Sequence, residues 1–248
     1  MNSCSIFLPI LTLLIPAAQA RAGMIAAASA EGRPPAPAGA SPRAVPAPLQ
    51  GIHGYVCGLH FYNGQMGRQV IAHHFCAHLD DDLMQCVIYD SNRPDARLIG
   101  IEYVLSARRF RTLAPEEQRL WHSHAYEVKS GLLLAPGMAK AAEQKLMKNF
   151  ATTYGKTFHT WQVDRGDPLP YGIPQLMMGF TGDGQADPGL VAERDRESGL
   201  DTAAKRRQRT DLPASAVDPA ADAWRLGRPQ QLELGPAGAE KVEPIPMH

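Results

Sequence analysis

The chain has 248 residues, enough for one domain of ordinary size with flanking segments. Lys and Arg together number 25, as do Asp and Glu, so the formal net charge is zero. That balance excludes the broad basic surface of a nucleic-acid binder, and the one basic run, KRRQR at 205–209, reads as a solvated stretch of a polar tail.

The first segment, MNSCSIFLPILTLLIPAAQA (1–20), carries an apolar core from Ile6 to Ile15 followed by Ala18-Gln19-Ala20, the small-x-small pattern of a signal-peptidase site. The core is far shorter than the ~20 residues that cross a bilayer, and Pro9 and Pro16 would disturb a membrane helix. No Lys or Arg precedes it, which departs from the usual leader. The expectation is a cleaved signal peptide and a periplasmic or secreted mature chain with no transmembrane span; the alternative is a cytoplasmic protein. Cleavage removes Cys4 and leaves Cys57, Cys76 and Cys86, so at least one thiol stays outside any internal disulfide. Residues 21–50 are rich in Pro and Ala and read as an extended linker, since such a stretch neither builds a ladder nor buries much apolar area.

From Gly51 to about Phe180 the composition turns apolar and aromatic, as expected of the folded body. GYVCGLHFY (54–62) reads as a strand. RQVIAHHFCAHL (68–79), if extended, places Val70, Ala72, His74, Cys76 and His78 on one face and Ile71, His73, Phe75 and Leu79 on the other. Asp80-Asp81-Asp82 is a tight loop into a third strand, LMQCVIYD (83–90), and SNRPD (91–95) is a second turn into a fourth, ARLIGIEYVLS (96–106). Together these make a consecutive antiparallel meander. Pro115, with Glu116 and Glu117 behind it, starts a helix. GMAKAAEQKLMKNFATTYG (137–155) predicts a longer helix with Gly155 as its stop, and TFHTWQVD (157–164) a further strand ended by the turn RGDPLPYGIP. Residues 181–248 form a polar tail, partly packed, with Trp224 as its one large apolar anchor. The class is α+β: a single domain built on an antiparallel sheet with a few helices.

The hairpin around the three aspartates sets a register. It pairs His78 with Met84, Cys76 with Cys86 and His74 with Ile88, with cross-strand Cβ atoms ~5 Å apart on a common face. Three readings of that face stay open: imidazole and thiolate ligands (His74, His78, Cys76) for zinc or a similar divalent transition metal; a disulfide or thiol pair between Cys76 and Cys86; or buried small hydrophobes beside hydrogen-bonded histidines. Neighbours at i and i+2 on a strand need help from another segment to chelate one ion. WHSHAYEVKSG (121–131) is that segment if it is extended at His122 and His124, because a helix would point the two rings ~200° apart. Glu127 could join them. Glu102 sits in a strand whose two faces both look apolar, so its carboxylate must be paired, ligated or protonated; Arg68, Arg97 and Lys129 are the candidate partners. The metal set is therefore His74, His78, His122, His124, Glu102 and Glu127.

GLHFYNGQMGRQVIAHHFCAHLDDDLMQCVIYDS, DARLIGIEYVLS, LWHSHAYEVKSGLLLAP and TYGKTFHTWQVDRGDPLPYGIPQLMM resemble the oil-body-associated protein family over about His53 to Met178. The resemblance implies association with lipid droplets in plant seeds and brings neither a catalytic activity nor a cofactor. The positions shared with the family's motifs are His73, His74, Cys76, His78, Cys86, Glu102, Trp121, His122, His124, Glu127, Trp161, Asp164 and Asp167, none with an assigned role. Two functional expectations follow. One is an exported, non-enzymatic protein that binds a lipid surface or an envelope partner, with LLLAPG (132–137) and QLMMGF (175–180) as exposed apolar patches. The other is a metal-binding protein or metal-dependent enzyme.

Overall fold

The structure, a computed structural model, describes residues 45–213, 215–227 and 229–235. The expected signal peptide and the first part of the expected linker lie outside the described residues. A short helix, α1 (Ala47–Gln50), occupies the end of the linker.

The meander forms as its alternation dictates: β1 (Gly54–Tyr62), β2 (Gln65–Asp80), β3 (Leu83–Tyr89) and β4 (Leu98–Ser106). The hairpin register holds, with His74 opposite Ile88, Cys76 opposite Cys86 and His78 opposite Met84. The sheet continues through β5 (His122–Ser123), β6 (Thr153–His159) and β7 (Gln175–Met178) in the order β4-β3-β2-β1-β7-β6-β5. Because β4 also pairs with β6 over seven residues from Gly100 to Ser106, the ribbon closes on itself. The result is an antiparallel barrel, and closure removes the edges that an open meander would expose.

Closure explains the doubly apolar strands. One face of each strand fills the barrel and the other is covered from outside. Inward rows follow the ladders: Cys86, Glu102, Thr157 and Met177 share one, and His74, Ile88, Gly100 and His159 another. Gly100 is obligatory where β4 meets β6, since a Cβ there would lie 2.4 Å from the carbonyl oxygen of Phe158.

Apolar layers close both ends. At one, Val56, Cys76, Met84, Cys86 and Val104 pack beneath Met147 and Phe150 of α5 (Lys140–Phe150). At the other, Tyr62, Val70, Ala72, Ile88, Ile99 and Met177 pack together. Outside, Leu59, Phe61, Leu176, Met178 and Phe180 form a third layer under Leu190, Val191 and Trp224, whose indole meets Phe61 edge-on at 5.0 Å.

Several local expectations are corrected. LLLAPG and QLMMGF are not exposed patches: Leu134, Met177, Met178 and Phe180 are all fully buried, Met177 inside the barrel and Met178 and Phe180 in the outer layer. A short helix, α2 (Ala107–Phe110), follows β4; the helix at Pro115, α3, spans only Pro115–Gln118, and a separate helix, α4 (Ala125–Ser130), follows His124. α5 ends at Phe150, so Gly155 lies inside β6 rather than stopping a helix.

The KRRQR run is not simply solvated. Arg209 is buried, donating to the carbonyls of Val128 and Leu133 and, at 2.6 Å, to Glu143 Oε1. Arg194 of α6 (Pro188–Ser198) is fully buried, donating to the Leu132 carbonyl and the Thr202 hydroxyl. A buried guanidinium persists only when its donors are matched in this way, so these arginines tie the segment after Phe180 to the barrel.

Candidate metal centre

Between its two apolar ends the barrel interior turns polar. Glu102, in the middle of β4 and only 3% exposed, points inward. None of Arg68, Arg97 or Lys129 reaches it: Arg68 binds Asp164, Arg97 binds Asp90, and Lys129 donates to the carbonyls of Thr210 and Leu212. Its partners are imidazoles. His74 Nε2 of β2 lies 2.8 Å from Oε2, and His60 Nε2 of β1 lies 3.7 Å from the same oxygen. On the other side, His124 Nε2 lies 3.1 Å and His122 Nε2 3.6 Å from Oε1. All four histidines are buried, and His122 is fully so.

The local chain explains each position. Alternation turns His60 and His74 inward with Gly58 and Ala72 as small neighbours that leave space. The two-residue strand β5 sends His122 into the barrel. His124, on the N-terminal flank of α4, turns back onto the same carboxylate with its Nδ1 fixed 2.8 Å from Thr153 Oγ1. Glycines make the room: a Cβ at Gly155 would lie 2.1 Å from Glu102 Oε1 and 2.8 Å from the His122 ring, and one at Gly179 would lie 2.8 Å from both His122 and Glu127. A fifth ring, His159, stands behind, its Nε2 3.2 Å from His60 Nδ1.

Burial pushes His122 and His159 down to about 3, and burial with the neighbouring His74 holds His60 well below its ordinary value. Burial opposes ionisation of Glu102, but its contacts with His124 and His74 prevail and hold its carboxyl well below the usual carboxylate range. The centre thus sets an ionised carboxylate beside His60, His122 and His159, which burial keeps neutral, and carboxylate with neutral imidazole is the form in which these groups bind metals. Two donor sets converge, His60–His74–Glu102 and Glu102–His122–His124, with ligand atoms within 4.8 Å of one another in each. An ion held at ~2.1 Å by cis or tetrahedral ligands sets those ligands roughly 3.0–3.4 Å apart, the spacing that these contacts bracket. Both nitrogens of His122 and Nδ1 of His74 lack a hydrogen-bond partner, as does His74 Nε2, whose short contact with Glu102 is not directed as a hydrogen bond. A cavity of about 10 Å³ touches His60, His74, Glu102 and His124, the size of a single water-sized guest.

Of the residues expected from sequence, His74, Glu102, His122 and His124 therefore come together. His78 does not: it is exposed. It shares a face with His74, but four residues along a strand are ~13 Å, which carries it past the barrel mouth. Glu127 is buried beside His122 without entering either donor set; burial, then the charge on Glu102, push its carboxyl well above its ordinary range. Cys76 and Cys86 form a cross-strand disulfide on the inward face, and Cys57 is the buried free thiol among the described residues. His60 and His159 were missed. Their signal was the same inward alternation in GLHFY and TFHTW, visible only once those strands are joined in one barrel.

Together these features define a closed antiparallel α+β barrel with a histidine-rich polar middle. Residues 46–213 match the family described as a protein of unknown function (DUF1264). The chain is 42% identical over 201 residues to oil body-associated protein 1B of Arabidopsis thaliana, covering 80% of this chain and 83% of the relative. It is 46% identical over 183 residues to oil body-associated protein 1A of Zea mays (73% and 77%), and 43% identical over 209 residues to protein 2B of the same plant (80% and 82%). The chain belongs to the oil-body-associated protein family. No solved structure matches it.

Proposed function

We propose that this protein is a metal-binding barrel, holding one divalent transition-metal ion at Glu102 with His60, His74, His122 and His124 as the donor pool. What carries the reading is the convergence of four buried imidazoles on one buried carboxylate, with ring nitrogens of His74 and His122 unpartnered. Imidazole with carboxylate suits zinc, iron, copper or nickel better than calcium or magnesium. His159 and Thr153 would act as outer partners that orient His60 and His124. A bound ion would supply Lewis acidity.

Elemental analysis of the purified full chain is the test. One equivalent of a transition metal is expected, lost in His122→Ala and in His74→Ala but retained in His78→Ala. Absence of stoichiometric metal after reconstitution with zinc, iron(II), copper and nickel in turn would retire the reading.

A second reading, association with a lipid surface, draws on the relatives' names and on β4, which leaves Ile101 and Tyr103 partly exposed on its outer face. No helix among the described residues is long and apolar enough to cross a membrane, so contact would be peripheral. Co-flotation with phospholipid-coated triolein droplets, reduced by Ile101→Glu with Tyr103→Glu, is expected; unchanged flotation of that variant would remove this face from the account. The leader in residues 1–20 supports export, and Met1 at the start of the mature protein would contradict it.

A further inference from the structure

The histidine cluster accounts for the middle of the barrel but not for the space at one mouth. There, beneath the last turn of α5, lies a cavity of about 220 Å³ walled by Val56, Cys76, Met84, Leu146 and Phe150, with His78 at its rim. It is not an isolated surface dent. Val56 and Phe150 also wall the small cavity at Glu102, and Phe150 packs against His124 with ring centroids 5.6 Å apart. The disulfide completes the partition: Cys76 faces the mouth and Cys86 faces the cluster. A single layer of side chains separates the two spaces.

We propose that this mouth is a binding site for a small, uncharged, apolar molecule, which lies against Phe150 on the far side of the histidine cluster. Three observations select that chemistry. No Lys, Arg, Asp or Glu among the described residues lines the cavity, so a charged ligand would lose its hydration without gaining a partner. The walls are aliphatic, thioether and aromatic groups, whose contribution to binding is proportional to the apolar area that they cover. The volume exceeds the ~150 Å³ that takes benzene or xenon in an apolar cavity, which suits a bicyclic aromatic or a medium-length aliphatic chain and excludes a large cofactor. His53 and His78, the only titratable side chains lining it among the described residues, stand exposed at the opening. His78 thus acquires a place at the mouth rather than at the ion.

That such a molecule would be a substrate for the centre rests on the metal reading; that it binds does not. The two are separated by titrating the full chain with 2-naphthol, followed by its fluorescence, once in the metal-loaded state and once after chelation, with metal content measured in parallel. Saturable binding at one site per chain is expected in both states. Leu146→Trp fills the cavity and His78→Trp covers its rim from an exposed position that does not threaten folding. Each should weaken binding tenfold or more while circular dichroism and metal content stay unchanged. Non-saturable partitioning of the probe, or equal affinity in wild type and both variants, would overturn the proposal. Loss of metal stoichiometry with binding intact would fail the metal reading alone.

Discussion

Gly155→Ala offers a sharp probe of the centre because it replaces one hydrogen by a methyl group beside Glu102 and His122 without altering either. Gly155 lies in β6 between Val104 of β4 and His122 of β5, so its Cα faces the barrel interior. The new methyl would fall 2.1 Å from Glu102 Oε1 and 2.8 Å from His122 Cε1 and Nε2, closer than real Cβ contacts allow. An exposed carboxylate would swing away at little cost. Here the carboxylate is 3% exposed and ringed by imidazoles, and the ring of His122 is fully buried, so neither has an open direction. Overpacking of this kind costs about 1–3 kcal/mol, roughly 2–12 °C in Tm for a domain of this size. Displacing two donors should also weaken metal binding at least tenfold. Gly67→Ala in β2 is the control, with nothing within 4 Å of its added Cβ and a backbone outside the left-handed region; it should change stability by less than about 0.5 kcal/mol. Urea unfolding and competitive metal titration of the two variants decide the matter. Gly155→Ala with wild-type stability and affinity would mean that Glu102 and His122 do not meet at β6.

Metal-free protein should lose stability as pH falls below neutrality. His122 and His159 stay neutral in the fold down to about 3, whereas their unfolded counterparts take up protons below ~6.5, so unfolding binds protons throughout that window. His60 works in the same direction, and Glu127, raised in the fold, opposes them by losing stability as pH rises above the ordinary carboxylate range. The net expectation is about 1–3 kcal/mol per pH unit between pH 4.5 and 6.5, read from urea midpoints; a flat profile there would contradict a set of buried neutral imidazoles. Reducing Cys76–Cys86, whose sequence separation is 10, should cost about 2–3 kcal/mol by release of a short closed loop. Equal urea midpoints with and without reductant would show that the link constrains little.

Local alternation made the first four strands and their hairpin register legible, down to Cys76 opposite Cys86. What it could not carry was closure. The pairing of β4 with β6 joins residues some fifty apart, and nothing in RLIGIEYVL or KTFHTW names the other as partner. For that reason Glu102 carries two readings in sequence, a carboxylate paired with an arginine or lysine and a metal ligand, and His60 and His159 look like ordinary strand residues. Gly155, read as a helix stop, is a glycine for a different reason: it faces the buried side chains of Glu102 and His122. WHSHAYEV was ambiguous because it is both things in turn, a two-residue strand that delivers His122 and then a helix start that returns His124.

The arrangement of the interior argues for function over fold. At both ends the same strands fill the barrel with valine, isoleucine, leucine-sized and aromatic side chains, and nothing in strand geometry prevents the middle from being filled likewise. Instead the middle buries five imidazoles and a carboxylate, leaving His122 Nδ1 and Nε2, His74 Nδ1, His159 Nδ1 and Thr157 Oγ1 without hydrogen-bond partners. Each such group costs about 1–3 kcal/mol when buried unsatisfied, against a net domain stability of only about 5–15 kcal/mol. A core shaped by stability alone would not gather so many such groups in one layer. A cation among these donors would reverse the sign, turning unpartnered lone pairs into ligands and the Glu102 charge into a counter-ion, and the polar layer would then add stability rather than cost it.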